Sequence, residues 1–284
     1  MNYPTFFEYT KAATPIIKDL EVETLNPSEF KSIRTPNLEA YYIVFGKTDL
    51  MEQDSKNASS HVFYVLKGSG CTMFGEKEIT WKKGDVFTFP YGPDGFKHYA
   101  YNVETILFYV NDSPLLKYLN CTPNKPRFEH TFYSDEEIKK RIDTYNNQEG
   151  AKSRNRNGVL LSNYQFENES LNTLTHSLWS LMNYIGPNTK QNPHRHNSIA
   201  IDLCTELNEE SENKVYTLMS KTINENNELV DPIKVFWKKD CTFTTPPGWW
   251  HSHHNESEYE AWVFPIQDAG LHTYMRTLDI QFVK

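Results

Sequence analysis

The sequence predicts an all-β protein made of two tandem barrels with a short helical connector. Three observations carry that reading. Residues 35–40 and 106–115 each return as a second copy, at 175–180 and 262–271, and self-similarity at a long period marks a repeated structural unit. The 284 residues exceed one ordinary domain and suit two barrels of roughly 120 residues each. Aromatic residues make up 14% of the chain, with 12 glycines and 15 prolines, which suits many short strands closed by turns. The expected division is an N-terminal barrel with an arm over 1–120, a connector over 121–157 and a C-terminal barrel over 158–284.

Along the chain, residues 1–33 have mixed polarity around Pro15-Ile16-Ile17 and Leu20 and predict an arm or short helix along the outside of a barrel. Thr35-Pro36-Asn37-Leu38-Glu39-Ala40 parallels Thr175-His176-Ser177-Leu178-Trp179-Ser180, and Gly46 parallels Gly186. Val62 to Gly70 reads as a buried strand entering a glycine turn, and Gly84 to Pro90 as a turn and a strand. Gly95, His98 and Asn102 have the spacing of Gly248, His251 and Asn255. In the connector, Ser134 and Glu137 stand as a capping box opening a helix that runs through Tyr145 and stops at Asn146-Asn147-Gln148-Glu149-Gly150. The second barrel follows with an apolar strand over 199–207, a loop over 208–213 and the strand-like Val235-Phe236-Trp237.

The chemistry concentrates in this second copy. His194 and His196 flank Arg195, and residues two apart on a strand point to the same side. His251, after the turn Pro246-Pro247-Gly248, is placed to return on an antiparallel neighbour and complete a set of three imidazoles around a divalent metal. Three neutral imidazoles leave the ion its full charge and open positions, which suits anionic substrates. Imidazole accepts iron, manganese, nickel, copper and zinc, so ligand type alone does not choose among them. His253, two residues beyond His251, falls on the ligand side and becomes a pocket residue. Trp249 is assigned to the core, Arg195 to the exterior or a subunit contact, His254 and His272 to outward positions, and Ser153-Arg154-Asn155-Arg156 to a solvated linker. His130 and His176 carry no supporting pattern.

The segments 175–186, 193–196 and 250–253 together resemble the gentisate 1,2-dioxygenase family of bicupins, in the cupin superfamily. The resemblance implies two tandem cupin barrels, each a jelly roll (double-stranded β-helix), and an iron(II) centre that binds a vicinal hydroxy-carboxylate and dioxygen before an aromatic ring opens. Ala200 stands where many cupins carry a ligand glutamate, so the implied centre has three histidines: His194, His196 and His251. The first copy lacks the paired histidines, whose places fall near Ser55 and Asn57, and His61 takes the glutamate place. Two imidazoles, His61 and His98, make a poor site, so the first barrel is expected to be metal-free. Trp179 matches an aromatic residue of the family's substrate pocket. His253 matches a catalytic histidine facing substrate and dioxygen. Family arginine, glutamine and aspartate positions fall at Asp202, Asn183 and Pro265. An aspartate in place of the arginine would repel a carboxylate by several kcal/mol in a desolvated pocket, which favours a substrate with a neutral or cationic tail over gentisate. Arg276 supplies a cation only if the chain folds back.

The implied function is an iron(II) dioxygenase acting with dioxygen on a small oxygenated compound, aromatic compounds among the candidates. The alternatives are a non-redox lyase or isomerase, in which His253 or Tyr184 moves a proton, and a metal-binding bicupin without turnover. The formal charge of −8 argues against a nucleic-acid partner. No apolar run approaches the roughly 18 residues of a membrane span, and the start Met1-Asn2-Tyr3-Pro4-Thr5 lacks the pattern of a signal peptide. The four cysteines show no Cys-x-x-Cys spacing, so reduced thiols in a cytoplasmic protein are expected, with Cys204 and Cys241 in the core. A homo-oligomer, dimer or tetramer, is expected as for the family.

Overall fold

Strands buried on both faces run as unbroken apolar stretches, and the sheets here are built around such strands. The structure, a computed structural model, describes residues 22–25, 27–28, 31–101, 103–149, 156–168 and 171–283. In Ser60–Lys67, Val62, Tyr64 and Leu66 point out of the first barrel while Phe63 and Val65 point in, the two-residue alternation of extended chain. Ala200–Leu207 repeats this in the second barrel, with Ile201 and Leu203 outward and Asp202 and Cys204 inward.

The two barrels share one plan. In the first, a six-stranded sheet runs in the order Thr131–Tyr133, Val86–Pro90, Ser60–Lys67, Thr105–Asn111, Glu39–Phe45, Ile33–Arg34. The sheet opposite it runs Leu50–Gln53, Phe96–Ala100, Ser69–Phe74, Lys77–Lys82. In the second, the six strands are Thr24–Leu25, Thr242–Thr245, Ala200–Leu207, Ala261–Gln267, Trp179–Ile185 and Asn157–Leu161. Its opposing sheet runs Ile233–Phe236, Val215–Ser220, Trp250–Asn255, His194–His196, Ile280–Phe282. The chain is thus all-β with a few short helices. Thr24–Leu25, ahead of the first barrel, pairs with Thr242–Thr245 of the second, whereas Thr131–Tyr133 pairs back onto the first. Most of the expected N-terminal arm lies outside the described residues.

The outward faces of the two six-stranded sheets pack against each other in one apolar core, where the Tyr64 and Phe264 rings lie 5.6 Å apart. The Thr35 and Thr175 hydroxyls accept from the Leu38 and Leu178 amides, at 2.9 and 3.0 Å, so the two copies of this loop fold alike. Asp112 accepts from the Ser60 amide in its own barrel and from Ser177 of the other. Asp268 accepts from the Ile199 amide and from Asn37 of the other barrel, so the contact is reciprocal. His176, patternless in the sequence, sits at this junction with Nε2 at 3.0 Å from Ser59 Oγ. The helix Asp135–Asn146 starts where expected: Ser134 accepts from the Glu137 amide. The Glu137 carboxylate, however, turns to Arg141, so only half of the capping box forms. Cys71, Cys121, Cys204 and Cys241 form no disulfide, and Cys241 is half-buried rather than a core residue. No helix among the described residues is long and apolar enough to cross a membrane.

Rings fill the first barrel. Phe63 stacks on Phe87 at 4.9 Å and on Tyr109 at 4.8 Å, and Phe89 on Phe96 at 5.2 Å. His98 is fully enclosed among them, and burial pushes its pKa down to about 3. The unfolded chain takes up a proton on this ring below about pH 6.5, the ordinary histidine value, while the folded chain does not. Stability is therefore present above that pH and lost as pH falls toward the folded value. Urea unfolding compared at about pH 7 and about pH 5 is expected to show a smaller acid loss for His98→Phe than for the wild type. Equal losses would contradict it.

Candidate metal centre

His194 lies opposite His251 on the paired strands His194–His196 and Trp250–Asn255, and His196 follows on the same side. The turn before His251 is tied to the same strand, since the Gly248 amide donates to the His196 carbonyl at 2.7 Å. Gly248 has φ of 77°, a conformation that glycine adopts without a Cβ penalty. One ring nitrogen from each of His194, His196 and His251 lies within 4.8 Å of the other two.

Each of these rings is held by a backbone carbonyl. His194 Nδ1 donates to His251 O at 3.2 Å, His196 Nδ1 to Ser198 O at 2.8 Å and His251 Nδ1 to Trp249 O at 3.0 Å. All three tautomers are thereby set with Nε2 bare, the outer-shell arrangement that orients metal-binding imidazoles. Burial pushes His196 down to about 4, and burial first, then neighbouring imidazoles, hold His194 and His251 well below the ordinary value. The donors are therefore neutral at neutral pH, and the set fits a divalent transition metal.

A cavity of about 210 Å³ adjoins the imidazoles. Trp179, Leu181 and Asn183, alternate residues of one strand, line it with Asp202, Pro265 and Gln267. Tyr184 falls on the opposite face of its strand and packs edge-on against Trp262 at 5.3 Å, which removes it as a proton-transfer residue of this pocket. His253 also lines the cavity. Its Nδ1 is 2.8 Å from Thr217 Oγ1, which accepts from Trp237 Nε1, and burial pushes the ring down to about 3. Burial lifts the Asp202 carboxyl to about 7 against a 2.5 Å hydrogen bond donated by Thr245.

Arg156 is the residue that sequence reasoning missed. It was assigned to a solvated linker, yet it stands in the cavity wall, donating to Gln191 Oε1 at 3.0 Å and to Asn192 O at 2.5 Å, with its guanidinium 5.4 Å from the Phe282 ring. Burial lowers it only to about 10, so it stays charged, and its charge helps depress all four pocket imidazoles. The expectation of a pocket without a cation is corrected accordingly. Arg276 is exposed and donates to Thr273 O, and it is not among the residues lining the cavity. The C-terminal strand Ile280–Phe282 was also missed. It pairs along the ligand strand, and Phe282 stacks on His194 at 5.6 Å. No local spacing signals either feature, because both depend on closure between distant segments. Arg195 turns the other way, onto Trp250 and Gln281.

The first barrel repeats the support but not the ligands. Trp81 donates to Thr72, which meets His98 at 2.8 Å, as Trp237, Thr217 and His253 do. The registers Thr72↔His98 and Thr217↔His253 make His98 the counterpart of His253, and Phe96 stands where His251 does. Gln53 lies opposite Phe96, as His194 lies opposite His251. The lost histidine positions are therefore Gln53 and Ser55, two residues before those expected from spacing. His98 Nε2 meets Gln53 Oε1 at 3.1 Å, and His61 Nδ1 meets the Tyr109 hydroxyl at 2.7 Å. Among the described residues, His194, His196 and His251 are the only group of three or more such side chains able to hold a metal.

No family model matches the chain, and no curated protein matches it in sequence. Solved structures do match in fold. Salicylate 1,2-dioxygenase from Pseudaminobacter salicylatoxidans aligns with TM-score 0.69 at 11% identity, covering 99% of this chain and 86% of its own. The same enzyme with gentisate adducts aligns with TM-score 0.68, covering 99% and 84%. Procruciferin, an 11S globulin from Brassica napus, aligns with TM-score 0.59 at 11% identity, covering 94% and 88%. Likeness at this identity speaks for architecture alone, and one plan serves both an enzyme and a globulin. By its paired barrels and these neighbours, the chain is a bicupin in fold.

Proposed function

We propose that the protein is an iron(II)-dependent dioxygenase acting on a small hydroxylated carboxylate, with His194, His196 and His251 as the metal ligands. The observation that carries this is the set of three neutral imidazoles, each fixed by a carbonyl at Nδ1 with Nε2 left for an ion, at the edge of a cavity. Bound there, iron(II) would supply positive charge for an anionic substrate and an electron source for dioxygen. The fold neighbour crystallised with gentisate supports the substrate class.

The remaining roles fall to the chain itself. Arg156 binds the carboxylate beside the imidazoles, and its bonds to Gln191 and Asn192 hold the guanidinium in place. Trp179, Leu181 and Pro265 form flat apolar walls that orient a ring and exclude water. His253, its Nδ1 committed to Thr217, exchanges a proton through Nε2. The same feature favours a second reading, in which His253 moves a proton on a metal-bound carbonyl compound without oxidation.

Oxygen uptake by iron-loaded protein over a panel of hydroxylated aromatic acids separates the two. Uptake that needs both iron and substrate is expected. Full metal loading with no uptake on any acid, alongside substrate loss under nitrogen, favours the second. Arg156→Leu is expected to raise KM for a carboxylate substrate by about tenfold or more with a smaller change in kcat, as loss of a charged hydrogen bond in the ground state does. An unchanged KM would remove Arg156 from substrate binding.

A further inference from the structure

We propose that the pocket selects a ring carboxylate bearing an amino group, the carboxylate held by Arg156 and the amino group donating to Asp202. This rests on the assignment of the cavity as the substrate site and goes on to name what occupies it. Asp202 is buried in the wall, and Thr245 Oγ1 satisfies Oδ2 alone. Among the described residues no donor reaches Oδ1, so it is the acceptor that this lining residue offers to a ligand. Arg156 and Asp202 do not neutralise each other. The guanidinium is held by Gln191 and Asn192 beside Phe282 of the sheet that carries the ligand strand, whereas Asp202 stands on the six-stranded sheet, bonded to Thr245. Trp179, Leu181 and Pro265 line the same cavity with apolar surface. A ligand lacking a donor at Asp202 leaves a buried carboxyl oxygen unpaired, the situation in which hydrogen-bonding sites discriminate most strongly. A second carboxylate there meets repulsion instead.

Calorimetric titration of protein loaded with zinc, which does not react with dioxygen, reads this without turnover. The probes are 2-hydroxybenzoate and 5-amino-2-hydroxybenzoate. The amino compound is expected to bind about tenfold tighter or more to the wild type, the scale of a hydrogen bond to a charged group. In Asp202→Leu the ratio should fall to near one, with the parent acid still binding. Equal affinity for both acids in the wild type overturns the proposal whether or not the variant folds, as does an unchanged ratio in a folded variant or no binding of either acid. Oxygen uptake on some other ring acid would then still sustain the dioxygenase reading, while its absence together with an intact amino preference would sink that reading and leave this one.

Discussion

His251→Ala is expected to abolish iron-dependent oxygen uptake, a loss beyond the roughly 100-fold reached by changing only an outer-shell partner of a metal ligand. His251 sits at the centre of the cluster, with ring centroids 4.0 Å from His194 and 4.9 Å from His196. Without it two imidazoles of the group of three remain. Metal content measured after purification should fall from about one ion per chain to a trace. Thermal melting gives an independent readout, because an ion bound only by the folded state raises stability in proportion to the logarithm of its concentration over Kd. Added iron(II) or zinc should raise the wild-type Tm and leave that of His251→Ala where it was. A variant that keeps its metal would show that other residues hold the ion.

The largest loss of stability is expected at the seam between the barrels. Phe264 is fully buried in the core shared by the two six-stranded sheets and packs on Tyr64. Phe264→Ala should cost about 3–5 kcal/mol, transfer and cavity terms together, a large share of the roughly 5–15 kcal/mol that holds a typical protein folded. Urea unfolding followed by tryptophan fluorescence measures it. Phe264 points away from the cavity, so the metal content of the folded fraction should persist. A loss under about 1 kcal/mol would mean that the barrels do not depend on this contact for stability, against the usual cost of truncating an enclosed ring.

Much of this architecture is legible in the sequence. Paired copies around Thr35 and Thr175 marked a repeat, and those loops do fold alike. The alternation in His194-Arg195-His196 gave the facing of both imidazoles because side-chain period in a strand is fixed at two. The same parity separates Trp179, Leu181 and Asn183, which line the cavity, from Tyr184 on the opposite face. Register between copies was harder. His98 was matched to His251 by distance from a glycine, but strand pairing sets equivalence, and the hydroxyl bridges from Trp81 and Trp237 show the offset of two residues. Thr24–Leu25 and Thr131–Tyr133 are too short to carry any periodic signal. Arg156 and Phe282 reach the pocket only because segments about 125 residues apart close around one strand, and no local pattern encodes that meeting.

Incubating iron-loaded protein with a turned-over ring acid under isotopically heavy dioxygen, and weighing the product by mass spectrometry, tests the central claim most directly. The account predicts that both atoms of one dioxygen molecule enter a single ring-opened product. A product that carries no heavy oxygen, formed at the same rate under nitrogen, would contradict it.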